Sequence, residues 1–264
     1  ALSVITVVVA TMKSVVVAGA GAALAVAALL RRRASRAERH RWWRRNVAKV
    51  ERPLTIGVLG AADIAKKNVR ALSLVPEARC VAVASRALAK AEAFVAELAG
   101  RGVETRAVRA VEGYDALLAD ATVEAVYVPL PTALHLAWVR AALAAGKHVL
   151  LEKPIALSAA DAREMARLAL AAGKQLMDGT MFVHTARCAA LRAAARSAEV
   201  GALRRVNASF SFCGGEAFEA TNIRVRADGD PLGCLGDWGW YCGRAALEVT
   251  RDARTGALAR PLWV

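Results

Sequence analysis

A lysine that follows a glutamate, in Glu152-Lys153-Pro154, and a tyrosine four residues after an aspartate, Asp237 and Tyr241, are the side chains best suited to moving a proton in this chain. An amine or a phenol can take the proton from a hydroxyl, or return one to a carbonyl oxygen, when it sits within hydrogen-bond reach of that oxygen. A lysine acts as the base only where burial or a neighbouring positive charge loosens its hold on the proton, and an oxidised nicotinamide ring is such a charge. At a spacing of four, Asp237 and Tyr241 share one face of a helix that carries both, so the two can relay the proton. Taken alone, the same residues read more readily as a solvated surface pair and a core aromatic.

Hydride chemistry also needs a coenzyme, and one stretch has the make-up to hold it. Gly57-Val58-Leu59-Gly60-Ala61-Ala62-Asp63-Ile64-Ala65 closes an apolar run and opens a helical one. In the dinucleotide fingerprint, glycines allow a tight turn, a close approach of backbone to pyrophosphate, and close packing of helix on strand, while the helix N-terminus aims its amides at the anion. Gly60 takes the first of these places, with Ala62 and Ala65 in the other two. Gly57, Gly60, Ala61, Ala62, Asp63 and Ile64 are the expected contacts. At the end of the following strand an NAD-selective site carries a carboxylate for the ribose hydroxyls. This chain has Ser85-Arg86 there, with Lys90 one turn later. These groups suit a 2′-phosphate and leave no carboxylate to repel it, so NADP is expected in preference to NAD. A solvated arginine at a helix start is the plainer alternative.

The elements that must position these groups alternate between short β-rich runs and alanine-rich helical stretches. Strands are expected at 54–59, 80–84, 106–110, 125–128, 148–151 and 175–178. Helices are expected to end near 73 and to span about 88–98, 114–119, 135–145 and 159–172. Pro129 and Pro131 stop one strand, and Gly146 and Gly173 end two of the helices. Alternation at this spacing specifies the α/β class, a doubly wound parallel sheet of Rossmann type. Past about Met181 the rhythm is lost, and 205–213 reads as a longer alternating strand that opens a different unit.

Three further stretches carry a resemblance. They are Tyr127-Val-Pro-Leu-Pro-Thr132 with His135, Gly146-Lys-His-Val-Leu-Leu-Glu152-Lys153-Pro154, and Gly236-Asp237-Trp-Gly-Trp-Tyr241. In this order and spacing the chain resembles, from about 54 to 247, the Gfo/Idh/MocA family, the glucose–fructose oxidoreductases and inositol dehydrogenases. The resemblance is greatest to the dihydrodiol and D-xylose dehydrogenase branch in its plant and algal versions. It implies an N-terminal Rossmann domain and a C-terminal α+β domain whose open, mostly antiparallel sheet packs beside the nicotinamide. It implies that Lys153 contacts the substrate hydroxyl or carbonyl, that Glu152 lies near the nicotinamide, and that Tyr241 is the second proton-transfer residue with Asp237 as its carboxylate. Pro129, Leu130, Pro131, Thr132 and His135 match the region flanking the nicotinamide ring. His184 and Arg187 resemble the segment that enters the substrate pocket, with Ala186 where that branch has proline. Asn222 and Arg224 fall in a substrate-side loop, and Trp238 and Trp240 either wall the pocket or fill the core. The implied substrate is a sugar, polyol or diol. The family's second domain is longer than residues 181–264, which are therefore expected to form an incomplete substrate and oligomerisation domain, covered by further chain or by another subunit.

Composition bears on where such a domain works. The hydrophobic fraction of 56% is concentrated at the N-terminus, where residues 1–30 hold a single charge, Lys13. A transmembrane helix is expected within this segment. Residues 31–52 follow as a basic collar of nine arginines and one lysine against Glu38 and Glu51, with Trp42 and Trp43 among them, and supply eight of the fourteen net positive charges. Basic residues on one side of an apolar span place the folded body, from 53 onward, on the cytosolic, stromal or matrix side. A cleaved signal peptide would carry its charge before the apolar run. A buried core helix and a nucleic-acid-binding arm are the other readings of this region, and no nucleic-acid partner is expected. Cys80, Cys188, Cys213, Cys234 and Cys242 have no metal-type spacing and read as small core residues in a reducing compartment, with no metal expected. The expected function is that of a membrane-anchored, NADP-dependent oxidoreductase transferring hydride between nicotinamide and a sugar or diol carbon. The alternative is a catalytically silent or nucleotide-sensing subunit of a membrane complex that keeps the fold.

Overall fold

The computed structural model describes residues 4–10, 14–17, 52–226, 230–252, 255 and 258. The chain divides into two compact units, one of residues 48–179 with 229–231, the other of residues 1–47, 180–228 and 232–264. Two short strands near the N-terminus, β1 (Val4–Ala10) and β2 (Ser14–Val17), belong to the second of these.

In the first unit strand and helix alternate: β3 (Leu54–Leu59), α1 (Asp63–Leu72), β4 (Ala78–Ser85), α2 (Leu88–Gly100), β5 (Arg109–Glu112), α3 (Tyr114–Ala119), β6 (Ala125–Val128), α4 (His135–Ala144), β7 (His148–Leu151), α5 (Ala159–Ala171) and β8 (Leu176–Asp178). The strands form a six-stranded sheet in the order β5-β4-β3-β6-β7-β8, parallel throughout. Both sides of β3 start crossovers in opposite directions, which places the topological switch point, where doubly wound sheets hold ligands, at the C-terminal ends of β3 and β6. Apart from Leu54, every residue of β3 and β6 is buried, as strands covered on both faces must be. Their side chains alternate. Ile56, Val58, Ala125 and Tyr127 pack with Ala65 and Val69 of α1 and Phe94 and Leu98 of α2. Leu59, Val126 and Val128 pack instead with Leu117, Val139, Leu143 and Met165 of α3, α4 and α5. Each large side chain buried this way stabilises the fold by about 1.5–3 kcal/mol.

Gly57 lies inside β3, and a Cβ there would stand 2.7 Å from Cδ2 of Leu117 and 3.0 Å from Cγ1 of Val123. It lets α3 approach the sheet and is a packing residue, not a member of the turn where a phosphate contact was expected. β5 begins three residues later than the sequence pattern indicates, because Glu104 accepts from the Arg106 amide at 2.9 Å and Thr105 O from the Val108 amide at 2.8 Å, closing a turn over the residues expected to start the strand. Cys188 is buried and the Cys80 thiol is pushed up to about 12 by burial, but Cys213 and Cys234 are exposed and so are not the core residues expected.

The second unit contains α6 (Ala186–Ala195), β9 (Arg205–Ser211), α7 (Gly215–Thr221) and α8 (Trp240–Val249), the last preceded by a π-helical turn at Leu235–Gly239. Glu248 of α8 is 1% exposed and is ion-paired to Arg192 of α6 at 2.8 Å and to Arg251 at 2.8 Å, which offsets the cost of burying its charge. Two expectations are revised here. Among the described residues β9 does not enter a mostly antiparallel sheet: it pairs in parallel with β1 from Val4↔Arg205 to Ala10↔Ser211, and β1 pairs antiparallel with β2, giving the order β2-β1-β9. Residues 4–10 and 14–17 are thus strands where part of a membrane-spanning helix was expected, in keeping with their valine, isoleucine and threonine content, since β-branched side chains favour the extended backbone. The rest of the apolar run, residues 18–30, and the basic residues 31–51 lie outside the described residues. Among the described residues no helix is long and apolar enough to cross a membrane.

Candidate functional site

β3 ends at Leu59 and α1 begins at Asp63, leaving a turn of three residues. Gly60 has φ +121°, a conformation open to a residue without a Cβ, and a Cβ there would meet Cδ2 of Leu130 at 2.8 Å. Its amide donates to Ala84 O at 2.9 Å, tying the turn to β4. Ala62 caps α1 with no side-chain hydrogen bond, whereas Ser158 and Thr185 supply oxygens to the first turns of α5 and α6. The leading amides of α1 therefore have no side-chain acceptor, the arrangement that lets a bound anion accept from them. Asp63 is exposed and bridged by Lys66 at 2.7 Å, which holds its carboxyl below the ordinary range; Lys66 also reaches Glu97 at 2.6 Å. Ala61, Ala62 and Ile64 are half-buried along the same turn.

At the end of β4, Ser85 is buried while Arg86 and Lys90 are exposed, and the strand closes without a carboxylate. Tyr114 joins this corner: its hydroxyl oxygen lies 3.8 Å from where a Gly60 Cβ would stand, and its ring meets Trp138 edge-on with centroids 4.8 Å apart. Burial raises the pKa of the phenol, and the charge of Arg86 opposes the rise. Nothing in the sequence pattern singles Tyr114 out beyond its place after the third strand.

The segment after β6 runs through Pro129, Leu130 and Pro131 to Thr132, which is buried with its hydroxyl 3.5 Å from Oδ2 of Asp230. His135, the first residue of α4, is 1% exposed. Its Nε2 is 2.9 Å from Leu130 O and its Nδ1 3.2 Å from Ile155 O. Both ring nitrogens thus engage backbone, and the side chain braces the loop after β6 against the segment that follows Lys153.

Glu152 and Lys153 follow β7, the first buried and the second half-buried. Oε1 of Glu152 accepts from the Tyr127 hydroxyl at 2.6 Å and from Nδ2 of Asn68 at 3.3 Å, and the same Asn68 nitrogen donates to the Tyr127 oxygen at 2.5 Å. Oε2 accepts from the Lys153 amide at 3.2 Å. Asn68 lies outside the sequence motifs, and Tyr127 opens one of them without being marked as a site residue, because their link to Glu152 is made through space.

The remaining candidates belong to the second unit. Asp237, 4% exposed, sits in the π-helical turn and pairs through Oδ2 with Nε of Arg224 at 2.8 Å. Asn222 accepts from the Arg224 amide at 3.0 Å, so these two residues shape the turn that delivers the guanidinium. Asp237 lies in the π turn and Tyr241 in α8, which follows it directly. The Tyr241 ring packs on Phe210 at 5.6 Å and Phe182 at 6.0 Å, and Trp238 on Phe210 at 4.3 Å. Phe210, Phe212, Phe218 and Trp238, with Arg224 and Asp237, line a cleft of about 240 Å³. Trp240 is fixed in the fold, its indole donating to the Thr180 hydroxyl at 2.8 Å. His184 and Arg187 are exposed, on a 3-10 turn and the first turn of α6.

Comparison with known proteins bears on this arrangement. Residues 54–180 match the Gfo/Idh/MocA oxidoreductase family model, described as an NAD-binding Rossmann fold. The chain is 43% identical over 212 residues to the dTDP-3,4-didehydro-2,6-dideoxy-alpha-D-glucose 3-reductase of Streptomyces violaceoruber, covering 79% of this chain and 58% of that protein. It is 41% identical over 162 residues to D-xylose 1-dehydrogenase (NADP(+)) 2 of Haloferax volcanii, covering 60% of this chain and 46% of the other. Among solved structures, GenD2 from gentamicin A biosynthesis in complex with NAD aligns with a TM-score of 0.61 at 21% identity, over 76% of this chain and 55% of that one, a likeness of fold. The chain spans a little over half the length of the 3-reductases it matches. Through its sheet of parallel strands and the motifs at their C-terminal ends, the segment of residues 54–180 is a Rossmann domain of the Gfo/Idh/MocA oxidoreductase type.

Proposed function

We propose that this chain is the coenzyme-binding part of an NADP-dependent oxidoreductase that transfers hydride between nicotinamide and a carbonyl or hydroxyl carbon of a sugar. The observation that carries the reading is a conjunction within one compact unit: a positive-φ Gly60 before an uncapped helix, Arg86 and Lys90 where an NAD-selective strand ends in a carboxylate, and Lys153 held at the end of β7. The similarity to a dTDP-sugar 3-reductase and to an NADP-dependent D-xylose dehydrogenase supports a sugar over a simple diol, with a nucleotide-linked ketosugar as the favoured substrate.

The nicotinamide, when bound, supplies or accepts the hydride. The chain's own groups do the rest. The Gly60 turn and the leading amides of α1 take the diphosphate, and Ser85, Arg86 and Lys90 take the 2′-phosphate. In the reducing direction the Lys153 ammonium gives a proton to the ketone oxygen; in the oxidising direction the free amine removes the hydroxyl proton. Tyr241 serves as the second proton carrier. Asp237 is committed to Arg224 and is assigned to bracing the turn that precedes Tyr241. His184, Arg187, Asn222 and Trp238 form the substrate side. Residues 18–52 extend the proposal to location: an apolar run followed by arginines fits attachment to an anionic membrane, with the oxidoreductase on the cytosolic, stromal or matrix side. Carbonate extraction of cell membranes, with Arg31, Arg32 and Arg33 replaced by glutamate as the control, checks that part.

The catalytic part is checked by titrating the chain with NADPH and NADH by fluorescence, then assaying reduction of a dTDP-linked ketosugar and oxidation of D-xylose. Tighter binding of NADPH is expected, together with turnover that Lys153→Ala abolishes while coenzyme binding persists. Binding of neither coenzyme overturns the proposal. Coenzyme binding without turnover of any sugar returns the silent, nucleotide-sensing reading.

A further inference from the structure

A tyrosine hydroxyl and a carboxylate withdrawn from water each cost free energy unless they are paired, so buried polar groups that meet one another in a sheet core are placed with consequence. Tyr127 is 1% exposed in the centre of β6, and Glu152 is 8% exposed just past β7. Asn68 reaches them from the second turn of α1, the helix that opens at the dinucleotide turn. Two donors, the Tyr127 hydroxyl and the Asn68 amide, converge on Oε1 of Glu152, leaving Oε2 for the backbone amide of Lys153. Gly179, just past β8, completes the cradle. Its amide donates to Leu151 O at 2.6 Å, and a Cβ on it would stand 3.0 Å from that oxygen and 3.4 Å from Cα of Glu152. A side chain there would press the strand end aside by a few tenths of an ångström.

We propose that Asn68 and Tyr127 are positioning residues that act through Glu152 to hold Lys153 in register with the coenzyme-binding helix. The chain of contacts runs from α1, through Asn68 and Tyr127, to the carboxylate of Glu152 and on to the peptide nitrogen of the reactive lysine. A carboxylate fixed by three donors has one orientation. With a donor removed, Oε1 turns to other partners, the Lys153 amide loses its acceptor, and the amine no longer meets the substrate oxygen at the required distance. The inference rests on the proton-transfer role proposed for Lys153, so its test has an arm that does not require turnover.

In that arm the amine of Lys153 is labelled by trinitrobenzenesulfonate at one fixed pH, and the rate is followed by mass spectrometry of the peptide in the wild-type chain and in Tyr127→Phe, which keeps the ring and removes only the hydroxyl. The rate is expected to change by about threefold or more, because a lost buried hydrogen bond frees the carboxylate that anchors the lysine's backbone. In the second arm the kinetics are compared: Tyr127→Phe and Asn68→Ala are expected to lower kcat by about tenfold to a hundredfold, the cost of misplacing a reacting group by about 1 Å, with KM for NADPH little changed. A merely structural role would instead lower the melting temperature and leave the kinetic constants of the folded fraction intact. Unchanged Lys153 labelling in Tyr127→Phe overturns the inference whether or not the wild type turns over, while absent turnover with altered labelling overturns only the proposed activity. Asn68→Asp, which sets a second carboxylate against Glu152, is expected to exceed both variants in its effect, and a labelling rate equal to that of the wild type there also overturns it.

Discussion

Single side chains at the ends of β3, β4 and β7 set the chemistry this chain can support. Arg86 and Lys90 stand exposed past β4, where their charges are available to a 2′-phosphate, and the neighbouring Tyr114 is half-buried against Trp138 and feels the charge of Arg86. A guanidinium that hydrogen-bonds a phosphate contributes about 1.5–3 kcal/mol. Arg86→Ala is therefore expected to weaken NADPH binding by about tenfold to a hundredfold and leave NADH binding within about twofold, as read by fluorescence titration of both coenzymes. Equal losses for the two coenzymes would show that the arginine acts on the fold and not on the phosphate. His135 teaches the complementary lesson. It is expected to flank the nicotinamide ring, and its two ring nitrogens stand 2.9 and 3.2 Å from Leu130 O and Ile155 O, so that it joins two loops.

The elements succeed in holding these groups because their approach distances are set by small residues. Gly57 brings α3 onto β3, with Leu117 occupying the space a side chain would need. Overpacking a filled core costs about 1–3 kcal/mol. Gly57→Val is expected to lower the melting temperature by several degrees, at about 2–4 °C per kcal/mol for a chain of this size, with coenzyme affinity unchanged in the folded fraction. A drop in affinity without a drop in melting temperature would instead make Gly57 a phosphate contact. α1 and α5 illustrate a second rule at this scale. α5 begins with Ser158, whose hydroxyl accepts from the Asp161 amide at 3.0 Å, and is complete in itself. α1 begins with Ala62 and has no such oxygen, which leaves its first amides open to an anion.

At the N-terminal ends of β3, β5 and β6 in the first unit, two carboxylates are held by arginines. Glu124 takes both terminal nitrogens of Arg52 at 2.8 and 2.6 Å and the Thr55 amide at 3.1 Å, which holds its carboxyl at about 2 in place of 4.5. Asp120 is held at about 2 in place of 3.8 by the Thr122 hydroxyl and by Arg109. Both acids bind protons more weakly folded than unfolded. Their stabilisation is therefore present above the unfolded values and lost as pH falls through the folded ones. The urea midpoint is expected to decline between about pH 4.5 and about pH 2, and Glu124→Gln to lower the midpoint at neutral pH while flattening that decline. Solvent screening keeps the effect modest, since Arg52 is largely exposed. A Glu124→Gln profile parallel to that of the wild type would place the acid sensitivity elsewhere.

The sequence by itself determined the alternation of β3 through β8 with α1 through α5. Apolar period, glycine and proline act within a few residues of one another, and the bounds of β3, α3, β6 and β7 coincide with the runs that predict them. It also determined that Ser85-Arg86 falls at the end of β4 and Glu152-Lys153 just past β7, because the residues at a strand's end are known once the strand is. Tertiary structure alone decided the rest. The pairing of β9 with β1 joins residues about two hundred positions apart, and strand partners are chosen by packing and hydrogen bonding that local propensity does not encode. The meeting of Asn68, Tyr127 and Glu152 and the use of Asp237 by Arg224 are decided in the same way. A hydrogen bond depends on distance in space, and only the folded backbone brings those atoms within its reach.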